Sequence, residues 1–189
     1  INNHRDSLKQ GEYKAYNKEG HLSLIGSYQN GERHGTFKEF YPGLKLKQET
    51  HYIQGKRSGP SISLDSLGNL IQKANYKADQ LHDSLITYYA NGVIKSAGFF
   101  IDGKPEGLTI ENYSSGIRKK ELQNKAGVPN GLSKEYYETG TLSMEAEYIN
   151  GYLNGIYKLY HPNGQIDTES HMINGAKDGF FKSYNTEGR

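Results

Sequence analysis

The histidines of this sequence are the first side chains to consider for chemistry, because imidazole binds metals and transfers protons near neutral pH. His34 and His82 occupy one position of a 24-residue period described below, two units apart, and His51 and His171 occupy another, five units apart. Neither pair can converge on one ion if successive units lie side by side. The sequence therefore predicts no metal site, and no motif in it calls for a cofactor.

Asp79, His82 and Asp83 lie close together and could in principle bind a cation or relay a proton. Both aspartates stand where other units have glycine, so a role in turns is the simpler interpretation. The sequence has no cysteine, phosphate-binding loop, nucleophile elbow or His-Glu-x-x-His motif. We expect a protein that is not an enzyme, with no catalytic residue and no small-molecule substrate.

The densest basic cluster consists of Arg118, Lys119 and Lys120, with Lys125 nearby. It is either a solvated edge or a docking patch for an acidic partner or anionic lipid headgroups. The whole chain carries 23 Lys and Arg against 21 Asp and Glu, a net charge of +2. That balance argues against nucleic acid as the partner.

The elements that must position these residues are marked by glycines that recur every 24 residues. Twenty of the 23 glycines fall into three such columns, which start at Gly11, Gly20 and Gly31. Recurring glycine indicates a backbone with positive φ, as turns require. The six to nine residues between turn signals suit strands and are too few for helices, so each unit is predicted to be a β-hairpin.

Pro162, two residues before Gly164, sets the predicted register of the hairpins. Proline at this position favours a type I turn followed by a left-handed glycine, in a three-residue loop. Tyr41-Pro42-Gly43 is interpreted as a shortened variant of the same loop. This register places an aromatic column of the first strands opposite an aliphatic column of the second strands. The predicted pairs include Tyr16 with Leu22, Phe40 with Leu46, Leu64 with Leu70, Asn112 with Arg118, Tyr136 with Leu142 and Tyr160 with Ile166.

Strict alternation along the strands assigns the other side chains to two faces. The face of the paired columns is expected to carry small residues, from Gly26 to Ser170, that leave room for rings. The opposite face is expected to be charged and mixed in sign. Its aromatic residues either screen the backbone or form a ligand-facing surface. They are predicted to be Tyr13, Phe37, Tyr157 and Phe181, together with Tyr41, Tyr89, Tyr113 and Tyr137.

The predicted fold class is therefore all-β, a single-layer twisted antiparallel β-meander of tandem 24-residue β-hairpin repeats, open-ended and solenoid-like. Residues 1–10 are assigned to a partial leading repeat, and residues 11–189 to seven and a half repeats in one elongated domain. The third unit (59–83) and the fifth (107–131) depart most from the pattern. Because Ile1 is not an initiator Met, we expect a processed or excised chain.

Partner-binding residues are predicted at three places. The first is the column of Tyr41, Tyr89, Tyr113 and Tyr137, and the second is the basic cluster of Arg118, Lys119 and Lys120. The third is the segment from Phe180 to Tyr184, where the return strand of a hairpin is missing and strand addition by another chain is expected.

Two recurring segments of the sequence resemble those of a known repeat family. Tyr148-Ile149-Asn150-Gly151-Tyr152-Leu153-Asn154-Gly155 and Tyr160-His161-Pro162-Asn163-Gly164 resemble the bacterial variant of the MORN repeat, and the likeness extends over essentially the whole chain. The resemblance implies a non-enzymatic interaction module. Many bacterial members carry a label implying antitoxin-like neutralisation, and the wider repeat class is associated with membrane-proximal scaffolding and lipid contact.

The function we expect is that of a non-catalytic β-repeat scaffold that binds another protein in a bacterial cell-envelope assembly. The alternatives are an antitoxin-like or immunity-like protein that neutralises a toxin by binding, and a membrane-lipid-binding module. Three Asp-Ser-Leu tripeptides, which begin at Asp6, Asp65 and Asp83, resemble acceptor sites for O-glycans in secreted bacterial proteins. They favour the envelope or cell surface over the cytoplasm.

Overall fold

The structure is a computed structural model that describes residues 8–189. It contains fifteen antiparallel strands in one open sheet, in the order of the sequence, and no helix occurs in the described part of the chain. The predicted all-β meander of hairpins is confirmed. The strands are β1 (Gly11–Tyr16), β2 (Leu22–Gln29), β3 (Glu32–Phe40), β4 (Leu46–Ile53), β5 (Lys56–Leu64), β6 (Leu70–Lys77), β7 (Gln80–Tyr88), β8 (Ile94–Ile101), β9 (Lys104–Asn112), β10 (Arg118–Lys125), β11 (Val128–Tyr136), β12 (Leu142–Ile149), β13 (Tyr152–Tyr160), β14 (Ile166–Ile173) and β15 (Ala176–Ser183).

The strands divide into two compact units. The first unit ends at Asp83, the second is Ser84–Arg189, and the division falls within β7. Side-chain arrangements are therefore described within each unit.

Two kinds of turn alternate along the chain. The loops that follow odd-numbered strands have the predicted three-residue form: His161 N donates to Gln165 O at 2.8 Å, and Gly164 has a φ of 85°. The loops that follow even-numbered strands contain two residues with positive φ, such as Asn150 (51°) and Gly151 (88°). Positive φ at both positions defines a type I′ turn, whose twist matches that of the flanking strands.

The loop from Tyr41 to Lys45 is not shortened, contrary to our interpretation of its Pro-Gly pair. Tyr41 N donates to Lys45 O at 2.8 Å, as in the other loops of this kind. Leu44 itself occupies the left-handed position with a φ of 62°, next to Gly43 at 79°. Asp79 and Asp83 each have a φ of 71°, so both occupy left-handed positions of the glycine columns, Asp79 in a turn and Asp83 within β7 rather than in a turn.

The strand register confirms the predicted hairpin pairs. The observed partners are Tyr16 and Leu22, Phe40 and Leu46, Leu64 and Leu70, Asn112 and Arg118, Tyr136 and Leu142, and Tyr160 and Ile166.

A β-bulge near the start of the second strand of the described hairpins changes which residues share a face. On β1, Ala15 pairs with Leu24 and the next residue, Tyr16, pairs with Leu22, so Ser23 of β2 is the extra residue. The paired columns of Tyr16 and Leu22 therefore lie on the face opposite the small residues, as the hydrogen bond from the equivalent Tyr136 to Glu121 shows, and the prediction that they share a face with the small residues is wrong. Strict alternation ignores this extra residue. The prediction that Tyr13, Phe37, Tyr157 and Phe181 lie on the charged face is therefore wrong. They lie opposite small residues: Tyr13 opposite Gly26, Phe37 opposite Thr50, and Tyr157 and Phe181 both opposite Ser170.

We call the face of these small residues the aromatic face, and the opposite one, which carries the paired columns, the charged face. The buried residues lie on the aromatic face. In the first unit they are Phe37, Thr50, Ser61 and Ala74, and in the second unit Asn124, Ser133, Ala146, Ser170 and Met172. A Cβ atom at Gly26 would collide with the ring of Phe37, which confirms that the small column makes room for rings. On the charged face, ion pairs such as Lys38–Glu49 (3.2 Å) and Lys158–Glu169 (3.4 Å) confirm its mixed sign.

Candidate protein-binding face

Four rings pack edge to face along the aromatic face of the first unit. The ring centroids of Tyr13 and Tyr28 are 5.2 Å apart, those of Tyr28 and Phe37 5.6 Å, and those of Phe37 and Tyr52 5.2 Å. The interplanar angles of 70° to 86° suit the quadrupoles of neighbouring rings. Strands β1 to β4 each supply one ring, so the fold itself aligns them.

Three cations, 24 residues apart, lie over these rings and over Tyr76. Lys9 Nζ is 4.6 Å from the ring centroid of Tyr13 and 5.0 Å from that of Tyr28. The guanidinium carbon of Arg33 is 4.8 Å from Phe37 and 5.2 Å from Tyr52, and that of Arg57 is 4.2 Å from Tyr76. Each such contact contributes about 0.5–1 kcal/mol at exposed sites. Our sequence analysis missed this cation-aromatic row, although the spacing of Lys9, Arg33 and Arg57 is a signal that it could have used.

Arg33 is the centre of the row. Its Nη1 donates a hydrogen bond to the Tyr52 hydroxyl at 3.2 Å. Partial burial by itself lowers the pKa of Arg33, but its hydrogen bonds with Tyr28 and Tyr52 outweigh that effect, so the pKa is raised. Arg33 therefore stays charged, and a guanidinium has five N–H donors, more than Tyr28 and Tyr52 use.

Arg57 is neutralised within the chain. Its main-chain N and its Nε both donate to Asp79 Oδ1, at 3.0 and 3.1 Å, and its Nη2 donates to Asp79 O at 3.1 Å. The hydrogen bond from the Arg57 main-chain N–H, followed by that from its side chain, lowers the pKa of Asp79. The charges of the row that remain for a ligand are those of Lys9 and Arg33.

The aromatic face of the second unit has a different character. The column of Lys9, Arg33 and Arg57 continues there as Pro105, Pro129, Leu153 and Lys177, and Lys177 Nζ lies 4.2 Å from the ring centroid of Phe181. Two shallow recesses open on this face, of about 250 Å³ beside Gly98 and Leu122 and about 300 Å³ beside Tyr157 and Phe181. The second unit thus presents small apolar recesses and a single cation over a ring, where the first unit presents a row of three cations over rings.

The predicted tyrosine column connects successive repeats. In each case the phenolic hydroxyl donates to the main-chain carbonyl of the residue 23 positions later, at the end of the next odd-numbered strand. The bonds run from Tyr41 to Leu64 (3.2 Å), Tyr89 to Asn112 (2.9 Å), Tyr113 to Tyr136 (2.7 Å) and Tyr137 to Tyr160 (2.6 Å). The rings also lie beside lysines, with Lys47, Lys95 and Lys119 at 5.8–5.9 Å from Tyr41, Tyr89 and Tyr113.

Other residue types occupy the same column and show what it requires. His161 Nε2 lies 2.9 Å from Tyr184 O and 3.6 Å from Asp167 Oδ1, which stands where other repeats have the lysine. Asp65 instead caps its own turn, accepting from the main-chain N of Leu67 and of Asn69 at 2.9 Å each. The column therefore stabilises either the next repeat or its own loop.

The predicted basic cluster is split between the two faces. Arg118 lies on the charged face, where its Nε is 3.2 Å from Glu121 Oε1, and Lys119 lies over the ring of Tyr113. Lys120 Nζ is 2.9 Å from Glu135 Oε1, and this hydrogen bond is the main cause of its raised pKa. The structure does not bring these three side chains together into one patch.

The remaining predicted residues lie near the end of the sheet. Phe180 and Phe181 are exposed on β15 and point to opposite faces, Phe180 towards His171 and Phe181 towards Ser170. Tyr184 N donates to Asp167 O at 2.8 Å, and its carbonyl contacts His161. Of the Asp-Ser-Leu tripeptides, Asp6 and Ser7 lie outside the described residues.

No group of three or more His, Asp and Glu side chains within residues 8–189 is arranged to hold a metal ion. Across that same range, no helix has the length and apolar character that a membrane span needs.

A comparison with family models matches the description "MORN repeat variant" to residues 9–30, 33–54, 129–150 and 153–174. A comparison with curated proteins finds no match. The matched segments include the Lys9–Arg33 part of the cation-aromatic row. The third and fifth units, which we expected to depart from the pattern, lie largely between the second and third matched segments.

Proposed function

Because this chain is a MORN-repeat protein, we propose that it is a non-catalytic scaffold that binds another protein through the aromatic face of its first unit. MORN-repeat proteins are generally binding modules, and an open β-sheet of repeats fits such a scaffold. The cation-aromatic row is the observation that supports the aromatic face of the first unit as the binding surface. In this row Lys9 and Arg33 lie over four packed rings.

The chemistry of this row defines the partner. Arginine and tyrosine are enriched among the residues that dominate binding energy at protein interfaces. The spare N–H donors of Arg33 suit a carboxylate, and the ring edges beside it suit apolar side chains. We infer that the partner presents an acidic segment with adjacent apolar residues.

We place this interaction in a bacterial cell-envelope assembly. The Asp-Ser-Leu tripeptides support that location, because they resemble O-glycan acceptor sites of secreted bacterial proteins. The balanced charge of the chain also suits a protein partner better than a polyanion.

Affinity capture from the native host with two matched variants of β3 tests the proposal. Arg33→Gln removes the charge from the aromatic face, and Lys38→Gln removes one from the charged face of the same strand. Loss of a central interface arginine costs about 2 kcal/mol or more, so partner recovery should fall at least about tenfold with Arg33→Gln and stay unchanged with Lys38→Gln. Equal recovery by both variants would refute this face. A single toxic partner would favour neutralisation over scaffolding, and salt-sensitive capture by liposomes alone would favour lipid binding.

A further inference from the structure

Large apolar side chains form a strip on the charged face of the second unit. They stand 24 residues apart on alternate strands β9, β11, β13 and β15. Their exposed fractions are 46% for Leu108, 42% for Leu132, 39% for Ile156 and 40% for Phe180. The cross-strand partners of the first three are polar: Gln123, Glu147 and His171.

The fold does not require apolar residues at this column. The equivalent residues of the earlier repeats are Thr36, Pro60 and Ser84. Thr36 pairs with His51 in the same register in which Leu132 pairs with Glu147, so the strand geometry is the same with a polar side chain there. Solvent-exposed leucine and isoleucine that contribute nothing specific to the fold indicate an interaction surface.

A second row of apolar residues borders the strip on the side of the type I′ turns. Ile149 and Tyr152 pair directly across β12 and β13 and are 51% and 60% exposed. Val128 and Ile173 are exposed at the corresponding ends of β11 and β14. The strip and this row together make two rows of apolar residues, with Gln123, Glu147 and His171 between the members of the strip, and they cover more surface than the single apolar residues scattered on soluble proteins.

The spacing of the strip suits an α-helix better than an extended segment. Alternate strands lie about 9.6 Å apart, because neighbouring strands are separated by about 4.8 Å. Seven residues of an α-helix advance about 10.5 Å, so over three intervals the two periods differ by less than about 3 Å. An extended segment presents same-face residues about every 6.8 Å and falls out of step after one interval.

We propose that this apolar strip is a docking site for an amphipathic α-helix of a partner protein, lying across strands β9 to β15. Apolar residues at every seventh position of the helix contact Leu108, Leu132, Ile156 and Phe180. Residues four positions later contact the bordering row of Ile149, Tyr152 and Ile173. This site lies on the charged face of the second unit, whereas the cation-aromatic row lies on the aromatic face of the first, so it goes beyond the function proposed above.

A stapled, monomeric helical peptide of 25 residues is the probe that tests the proposal. It carries Leu at every seventh position and at the fourth position after each, with Gln, Glu and Lys elsewhere. A control peptide of the same composition spreads its Leu residues around the helix. The test variant of the protein combines Leu132→Ser with Ile156→Ser, so that both positions carry the residue that an earlier repeat has at Ser84. The control variant is Arg33→Gln.

We expect the first peptide to bind the native chain with a Kd in the micromolar range, and the control peptide to bind at least tenfold more weakly. The double serine variant should weaken binding about tenfold or more, since two apolar contacts are lost, whereas Arg33→Gln should leave it unchanged. If the serine variant does not fold, Leu132→Thr with Ile156→Thr, which copies Thr36, takes its place.

Three results would overturn the proposal. They are no binding of the first peptide, equal binding of both peptides, and equal binding by the native chain and the serine variant. Sedimentation of the chain without peptide could give a fourth contradicting result. A dimer that forms with the native chain and not with the serine variant would assign the strip to a second copy of the chain. Arg33→Gln separates the two proposals, since it should affect capture of the first unit's partner and not the peptide.

Discussion

The phenolic hydroxyl of Tyr137 donates a hydrogen bond to the main-chain carbonyl of Tyr160, 23 residues later, at 2.6 Å. Equivalent bonds at Tyr41, Tyr89 and Tyr113 make this a recurrent connection between repeats. We call these bonds tyrosine rungs. They reach the main-chain carbonyl at the end of the next odd-numbered strand.

Removal of a rung should lower the stability of the sheet. Tyr137→Phe keeps the ring and deletes the donor, so the free energy of unfolding should fall by about 1 kcal/mol. Urea denaturation followed by circular dichroism measures the change. Tyr16→Phe, on an exposed ring of β1, is the control and should have little effect. An equal effect of both substitutions would show that the rung contributes nothing specific.

Gly26 should not tolerate a methyl group. A Cβ there would collide with the ring of Phe37, which is only 3% exposed, so Gly26→Ala should cost about 1–3 kcal/mol of the free energy of unfolding. The same substitution in a Phe37→Ala background should cost much less, because the ring that it strikes is gone. Equal costs in the two backgrounds, measured by denaturation of all four proteins, would contradict this packing.

Leu44 should be improved by glycine. Its φ of 62° is a left-handed conformation that costs an ordinary residue about 1 kcal/mol, and its side chain is exposed. Leu44→Gly should therefore raise the free energy of unfolding by up to about 1 kcal/mol. Leu67, the exposed residue just before the corresponding Gly68, is the control, and Leu67→Gly should not stabilise the protein. A loss of stability with Leu44→Gly would mean that its side chain has a role that the structure does not reveal.

Asp79 should make the first unit sensitive to acid. Hydrogen bonds from Arg57 lower the pKa of Asp79 in the folded chain below its value of about 3.9 in the unfolded chain. The stabilisation is therefore complete above about pH 4 and is lost as the pH falls through the folded pKa, because the unfolded chain takes up the proton first. Asp79→Asn should reduce the loss of stability between pH 5 and pH 2.

The matched variant for this prediction is Arg57→Gln, which removes the side-chain donor. It should reduce the same part of the pH dependence, and the double variant should add little to either single one. Denaturation midpoints measured across the pH range provide the comparison. Additive effects of the two substitutions would show that Asp79 and Arg57 act independently.

The turns and hairpin register could be predicted from the sequence, because both depend on local backbone geometry. Gly164, Asp83 and even Leu44 reveal positive φ by their place in a column. The faces could be predicted only up to the bulge opposite Ala15 and Tyr16, where the extra residue Ser23 interrupts the alternation of β2. Phe37 was therefore assigned to the wrong face.

The candidate site was harder to predict, because its contacts join residues from different strands. Nothing in the local sequence around Tyr137 indicates that its hydroxyl reaches Tyr160. The spacing of Lys9 and Arg33 was visible, but only the corrected face of Phe37 brings that ring beneath Arg33. The apolar strip from Leu108 to Phe180 was visible as a column as well, although only its exposure separates it from a core position.

The tyrosine rungs and the hydrogen bonds between type I′ turns join residues only 20 to 23 positions apart, as in Gly151 N to Pro129 O and Asn150 N to Asn130 Oδ1. Sheet proteins usually fold slowly, because their strands must find partners that are distant along the chain. Here each strand pairs with the strands next to it in the sequence, less than one repeat away. Folding can therefore nucleate in any adjacent pair of strands and spread outwards. We expect refolding rates nearer those of helical bundles than those of β-sandwiches, and growth of the sheet strand by strand during synthesis.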